Sequence, residues 1–135
     1  MIIRKQRITI THIRKPSDKS INQELQWLGN SLGLFNLRDK DKSCFRVFLE
    51  ILKSAKTKNE LNSDEIAARL NLSRGTVVHH LNKLMEAGLV VEEKGKYILR
   101  VDNLSMLIDE LEKDIDRALS DLKEVAESID RWMEI

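Results

Sequence analysis

The spacing of apolar residues changes repeatedly along this chain, and each change marks an element. Over residues 1–15, MIIRKQRITITHIRK, Ile8, Ile10 and His12 alternate with polar neighbours among β-branched residues. That period of two predicts a short strand, ended by Pro16. Ser20 is placed to cap a helix whose Ile21, Leu25, Leu28 and Leu32 share one stripe, and Gly33 is placed to stop it. A second helix is predicted from about Lys42 to Ala55, with Phe45, Phe48, Leu52 and Ala55 spaced by three and four before KTKNE breaks the pattern. Asn62 followed by Glu65 has the form of a capping box, and Ile66, Ala67 and Leu70 then give a helix of about two turns that Asn71 can close in the left-handed conformation. Ser73 caps the next helix, which turns Val77, Leu81 and Leu84 inward and ends at Gly88. Two short helices joined by so tight a turn form a helix-turn-helix. The run LVVEEKGKYILR then holds two β-rich segments around Lys94-Gly95, the signature of a hairpin.

From Asp102 to Glu134 there is no Gly or Pro. Leu104, Leu111, Ala118, Val125 and Trp132 fall at one heptad position and Ile108, Ile115, Leu122 and Ile129 at the other, with Leu107, Leu119, Ala126 and Met133 widening the stripe. A helix of about 32 residues would be about 48 Å long, more than one small domain can cover. No second helix of similar length is predicted in the chain. The segment is therefore expected to dimerise, through Leu104, Ile108, Leu111, Ile115, Leu122, Val125, Ile129 and Trp132.

These elements predict a mainly α fold with a small β-hairpin wing: a winged helix-turn-helix with a long C-terminal helix and an N-terminal strand and helix extension. The expected divisions are 1–38 for the basic extension, 39–101 for the helix-turn-helix and wing, and 102–135 for the terminal helix. At 135 residues there is enough chain for one modest core. Aromatics at 4% and a single Pro suit a helix-rich protein. No stretch is apolar enough to span a membrane, and MIIRKQR lacks the apolar centre of a signal peptide, so a cytoplasmic protein is expected.

Charge sharpens this picture. The net value of +1 conceals a split: residues 1–100 hold 19 Lys/Arg and 11 Asp/Glu, residues 101–135 hold 4 and 11. Excess cations in the first part suit a polyanion or simply a solvated surface. The N-terminal Arg4, Lys5, Arg7, Arg14 and Lys15 make either an arm that touches phosphate or an edge strand guarded by charge. Cys44, the only cysteine, excludes an internal disulfide and a Cys-rich zinc site, and among Phe45, Val47 and Phe48 it is expected to act as a small buried hydrophobe.

The candidate chemistry lies in LSRGTVVHHLNKLMEAGLV, residues 72–90. The second helix of a helix-turn-helix packs one face on the first helix and offers the other to the DNA major groove. With Val77, Leu81 and Leu84 inward, positions 74, 75, 76, 78, 79 and 83 remain. Arg74 suits a guanine edge, Thr76 a phosphate or thymine methyl, and Lys83 a phosphate, while Gly75 lets the backbone come close. His79 and His80 point about 100° apart and cannot share one metal as an i, i+4 pair can. His79 is expected outward, and His80 beneath the wing or first helix as an interior histidine with its hydrogen bonds made.

The stretch SDEIAARLNLSRGTVVHHLNKLMEAGLVVEEKGKYILR resembles the winged helix-turn-helix of ArsR-like transcription regulators, and more loosely MarR-like and TrmB-like ones. The carrying residues are Ile66 and Ala67, Leu72-Ser73, Thr76-Val77, His80-Leu81 and Glu86-Ala87-Gly88-Leu89-Val90, within a region from about Asp39 to Val101. The resemblance implies a homodimer on an inverted-repeat operator in double-stranded DNA. It places Ser73, Arg74, Gly75, Thr76, Val78, His79 and Lys83 at the groove, and Lys94 and Lys96 of the wing at phosphate or minor groove. Val78 stands where many members carry a polar residue, which suggests apolar contact there. The metal-sensing members carry paired cysteines or a His and carboxylate set on the terminal helix. Neither is present, so no metal or other cofactor is expected, and Asp109, Glu112 and Asp116 are read as a solvated face.

A sequence-specific regulator is thus the leading expectation. The alternative is a winged-helix protein-interaction module whose heptad helix pairs with a different chain. An enzyme is not expected: there is no Gly-rich phosphate loop, no HExxH and no nucleophile-base pairing.

Overall fold

The computed structural model describes residues 5–36, 38–39 and 41–134. In chain order it contains α1 (Ile21–Ser31), α2 (Ser43–Thr57), α3 (Ser63–Leu70), α4 (Arg74–Glu86), β1 (Val90–Glu93), β2 (Lys96–Leu99) and α5 (Leu104–Met133). The local signals set these boundaries. Ser20 Oγ accepts from Gln23 N to start α1, and Asn62 and Glu65 form a complete capping box at α3. Asn71 is left-handed at the end of α3, Ser73 Oγ accepts from Thr76 N at the start of α4, and Asn103 caps α5. Each such cap contributes about 1 kcal/mol. The wing is an antiparallel pair with Val90 opposite Leu99 and Glu93 opposite Lys96. Lys94 and Gly95 both have positive φ, as the tight turn between them requires.

One core joins these elements. Val47, Phe48 and Ile51 of α2, Ile66 of α3, Val77, Leu81 and Leu84 of α4 and Val90 of the wing are buried together, and Leu32 and Leu34 close it from one side, Leu107 and Leu111 from the other. Each such side chain removed from water stabilises the fold by roughly 1.5–3 kcal/mol. Two polar contacts fix the relative positions of helix-turn-helix and wing. Arg46 Nη2 donates to Leu70 O at 2.6 Å, closing the end of α3 against α2, and Tyr97 N donates to Leu61 O at 2.8 Å, tying β2 to the residue before α3.

The strand predicted over residues 1–15 does not form among the described residues 5–15, and residues 1–4, Arg4 included, lie outside them. The arm instead crosses helix ends. Arg7 N donates to Glu86 O at 2.9 Å and Thr11 N to Ser31 O at 2.8 Å, so its backbone satisfies carbonyls at the ends of α4 and α1. Alternation predicts a strand only where a sheet edge is at hand; here the arm meets helices. Trp27 Nε1, donating to Ile13 O at 3.1 Å, pins it to α1.

The first half of α5 is docked and the second half is not. Leu107, Leu111 and Asp114 are buried, whereas Leu119, Leu122, Val125, Ile129, Trp132 and Met133 are exposed. Of the residues expected at a dimer seam, Leu111 is therefore already covered by the chain's own core, and Leu104 and Ile115 are half-buried.

Candidate nucleic-acid interface

Helix α4 is anchored from behind, and this decides what it presents. Val77, His80, Leu81 and Leu84 are its buried residues. The opposite side is a row one helical turn apart: Gly75, His79 and Asn82 are exposed, with Arg74 and Lys83 exposed beside it and Thr76 and Val78 half-buried at its margins. Asn82 was missed by the sequence reading. At about 100° per residue Asn82 falls about 20° around the helix from Gly75 and about 60° from His79, which identifies it, and its amide can both donate and accept toward an adenine edge.

The expected residues differ in how free they are. Ser73 and Thr76 are engaged with each other: Ser73 Oγ donates to Thr76 Oγ1 at 2.8 Å while accepting from Thr76 N at 3.1 Å. Arg74 Nε lies 3.5 Å from Asp64 Oδ1, both side chains wide open to solvent. An exposed pair of that kind holds its partners weakly and leaves Arg74 able to exchange Asp64 for a phosphate or base. Gly75 has no atom within 4 Å of where a Cβ would stand, so the backbone there is bare toward solvent. In the wing, Lys94 is exposed at the tip. Lys96 is not free in the same way: its Nζ donates to Glu65 Oε1 at 3.3 Å, bracing the wing against the start of α3. The Glu65 carboxyl lies below its ordinary pKa range, first because it accepts from the Asn62 backbone and then because of Lys96.

The arm adds to this face. Arg7, His79 and Lys83 line one depression of about 320 Å³ whose floor includes Leu32, Leu34 and Cys44. The Arg7 N–Glu86 O hydrogen bond holds the arm at the end of α4, and Arg7 Nε lies 3.5 Å from Glu86 Oε1 in an exposed pair that adds little.

Two buried polar sites lie behind the interface. His80 is buried at 7% exposure, but the expectation that its hydrogen bonds would be made is corrected: Nδ1 has no partner, and Nε2 is 3.8 Å from Asp39 Oδ2. Asp39 is committed elsewhere, accepting from Ser43 N and Cys44 N at 2.9 Å each to start α2. Burial pushes the Asp39 carboxyl up, but those amides and His80 outweigh it and the net direction is down. Burial pushes the His80 imidazole down despite Asp39. Cys44 is buried as expected, its thiol pushed up by burial to about 11.

The second site is Asp114, 4% exposed, which the sequence reading passed over in favour of its solvated neighbours. Arg100 Nη1 donates to Asp114 Oδ2 at 2.5 Å and Nη2 to Oδ1 at 3.1 Å, Gln6 Nε2 donates to Oδ2 at 2.8 Å, and Arg117 donates to Oδ1. Arg100 also reaches Gly88 O at 3.3 Å. Gly88 has φ +83°, which favours glycine in this turn, and the Gln6 amide comes close over it, where a Cβ would make that side chain shift. One carboxylate thus locks arm, wing and α5 together. Hydrogen bonding from Arg100 holds it below the ordinary carboxylate range.

Among the described residues, no group of three or more His, Cys, Asp or Glu side chains could hold a metal ion, and no helix is long and apolar enough to cross a membrane. A two-helix motif with an exposed polar recognition face, followed by a hairpin braced on it, defines a winged helix-turn-helix. Residues 49–92, about a third of the chain, match the family model described as bacterial regulatory protein, arsR family. The chain carries an ArsR-like helix-turn-helix, the DNA-binding element of a transcription regulator. No curated protein and no solved structure compared with it gives a significant match.

Proposed function

We propose that the protein is a sequence-specific regulator, cytoplasmic, that binds an inverted-repeat operator in double-stranded DNA as a homodimer, with α4 of each copy in a major groove. The observation that carries this reading is the face of α4. Arg74, Gly75, His79, Asn82 and Lys83 stand exposed on a helix whose other side is fixed in the core. Arg74 can donate to a base edge and Asn82 can both donate and accept there, Lys83 and Lys94 suit phosphates, and Val78 suits apolar contact with a thymine methyl. Two-fold pairing through α5 would present two such helices to successive grooves.

The test is binding of purified variants to a duplex selected by the wild-type chain. Arg74→Ala is expected to lower affinity by about 10- to 100-fold and relax preference at one base pair, and Lys83→Ala to weaken binding to all duplexes alike. Unchanged affinity in both would refute this assignment of the DNA face. The exposed distal half of α5 favours a second reading, an interaction module pairing with a different chain. A protein that stays monomeric alone and ignores DNA sequence would support it.

A further inference from the structure

Over residues 5–15 the N-terminal arm carries Lys5, Arg7, Arg14 and Lys15 and no carboxylate. Its alternation makes no strand, yet it still sorts the side chains: Gln6 and Ile8 are half-buried against the body, while Lys5, Arg7 and Thr9 are exposed. We propose that Arg7 is a contact to the DNA backbone, and that the arm forms the outer rim of the DNA face, meeting the phosphates that bound the groove occupied by α4. The proposal rests on the reading of α4 as the recognition helix and adds to it a segment outside the helix-turn-helix and wing.

Anchoring is the first argument. The arm is held by groups other than the Arg7 side chain. Gln6 Nε2 donates to Asp114 Oδ2 at 2.8 Å and to Ala87 O at 3.3 Å, and Arg7 N donates to Glu86 O at 2.9 Å. The Arg7 side chain is 69% exposed, and its pair with Glu86 is of the loose, solvated kind that a phosphate can displace. A fixed backbone that carries an open guanidinium offers a cation already in place, so less order has to be lost on binding.

Position is the independent argument. Arg7, Thr9, His79 and Lys83 line the same depression. His79 and Lys83 lie one helical turn apart on the exposed side of α4, so the arm continues that side. A recognition helix contacts base edges with its N-terminal residues, here around Arg74. Lys83 stands about 13.5 Å further along the helix axis, and Glu86, where the arm crosses, about 18 Å. The major groove is about 12 Å wide, so a helix that reads bases at Arg74 has reached the sugar-phosphate backbone by that end. Cations there, Arg7 and Lys83 against Glu86, suit phosphate rather than a base edge.

The experiment titrates the full chain and its variants with a duplex recovered by selection and with an unrelated duplex of equal length, over a series of salt concentrations. Arg7→Ala keeps the backbone amide and the Gln6 anchors, so its thermal unfolding midpoint should match the wild type. Its affinity is expected to fall about fivefold for both duplexes, and the slope of log K against log salt to shrink by about 1. Arg7→Lys should restore the slope, and Glu86→Gln, which removes the competing carboxylate, should raise affinity for both duplexes. Unchanged affinity and slope in Arg7→Ala, with Lys83→Ala still weakened, would overturn the arm contact while leaving α4 as the recognition helix. A fall in affinity with the slope intact and no rescue by Arg7→Lys would also overturn it, since the arm would then act only through the fold. A chain that binds both duplexes equally and loses slope in Arg7→Ala would keep the contact and refute sequence reading. Binding to neither duplex would remove both.

Discussion

Helix α4 and the distal half of α5 are both one-sided helices, and they expose opposite sides. In α4 the apolar residues are buried and a polar, partly basic row faces solvent. In α5 beyond Ile115 the uncovered residues include Leu119, Leu122, Val125, Ile129 and Trp132. A helix that has already used its apolar face is stable as it stands and can offer polar groups to a hydrated polyanion. One that leaves its apolar face in water has burial still to gain, and a second apolar surface supplies it. What each helix leaves open is the guide to its partner.

The sharpest way to break the comparison is to truncate apolar residues on the two halves of α5. Leu107→Ala, in the docked half, is expected to cost about 3 kcal/mol in urea denaturation, because Leu107 is fully buried. Leu122→Ala should change monomer stability by no more than about 0.5 kcal/mol and act on self-association instead. Equal costs at the two sites would mean that the distal half is covered within one chain. Next in size is Asp114→Asn. It leaves Arg100 with only the more distant Glu110, at 3.8 Å, as a carboxylate partner at a site where Asp114 is buried, at a cost of about 2 kcal/mol in thermal unfolding, discounted because Arg117 is largely exposed.

The pH dependence tests the back of α4. His80 has a folded pKa below the ordinary imidazole value of about 6.5, because burial disfavours its charged form. As pH falls through that unfolded value, the unfolded chain takes up a proton that the folded chain does not, and stability is lost. Denaturation midpoints measured from pH 7.5 downward should decline below about 6.5. In His80→Gln that part of the slope should vanish, and a slope that persists would place its origin elsewhere. The smallest effect is the most diagnostic for the open face. Gly75→Ala adds a methyl where nothing stands, so it should stabilise the fold by about 0.5–1 kcal/mol through helix propensity. If that backbone approaches DNA, the same substitution should weaken binding.

How much of this the sequence disclosed depends on how far apart the interacting residues are. The capping box of Asn62 with Glu65, the Ser73 cap on Thr76 and the Lys94-Gly95 turn are local in sequence and their geometry follows from a few residues. The heptad stripe of α5 was equally legible, since period alone reveals it. Asp114 was not, because Gln6 and Arg100, which make it a buried lock, come from remote segments and it looks like any other carboxylate on an acidic helix. The helical period puts His80 inside, but the sequence does not show that its Nδ1 lacks a partner, because the position of Asp39 is a tertiary fact. The arm has the alternation of a strand, and only the absence of a sheet edge beside it reverses that reading. Asn82 was within reach of helical geometry and needed only one more step around the wheel.

The central claim is that the open face of α4 reads sequence. Selection of bound duplexes from a random pool, at salt high enough to suppress bare phosphate attraction, tests it most directly. The account predicts enrichment of an inverted repeat with half-sites about one helical turn, roughly 34 Å, apart. A folded protein that enriches no sequence would contradict it.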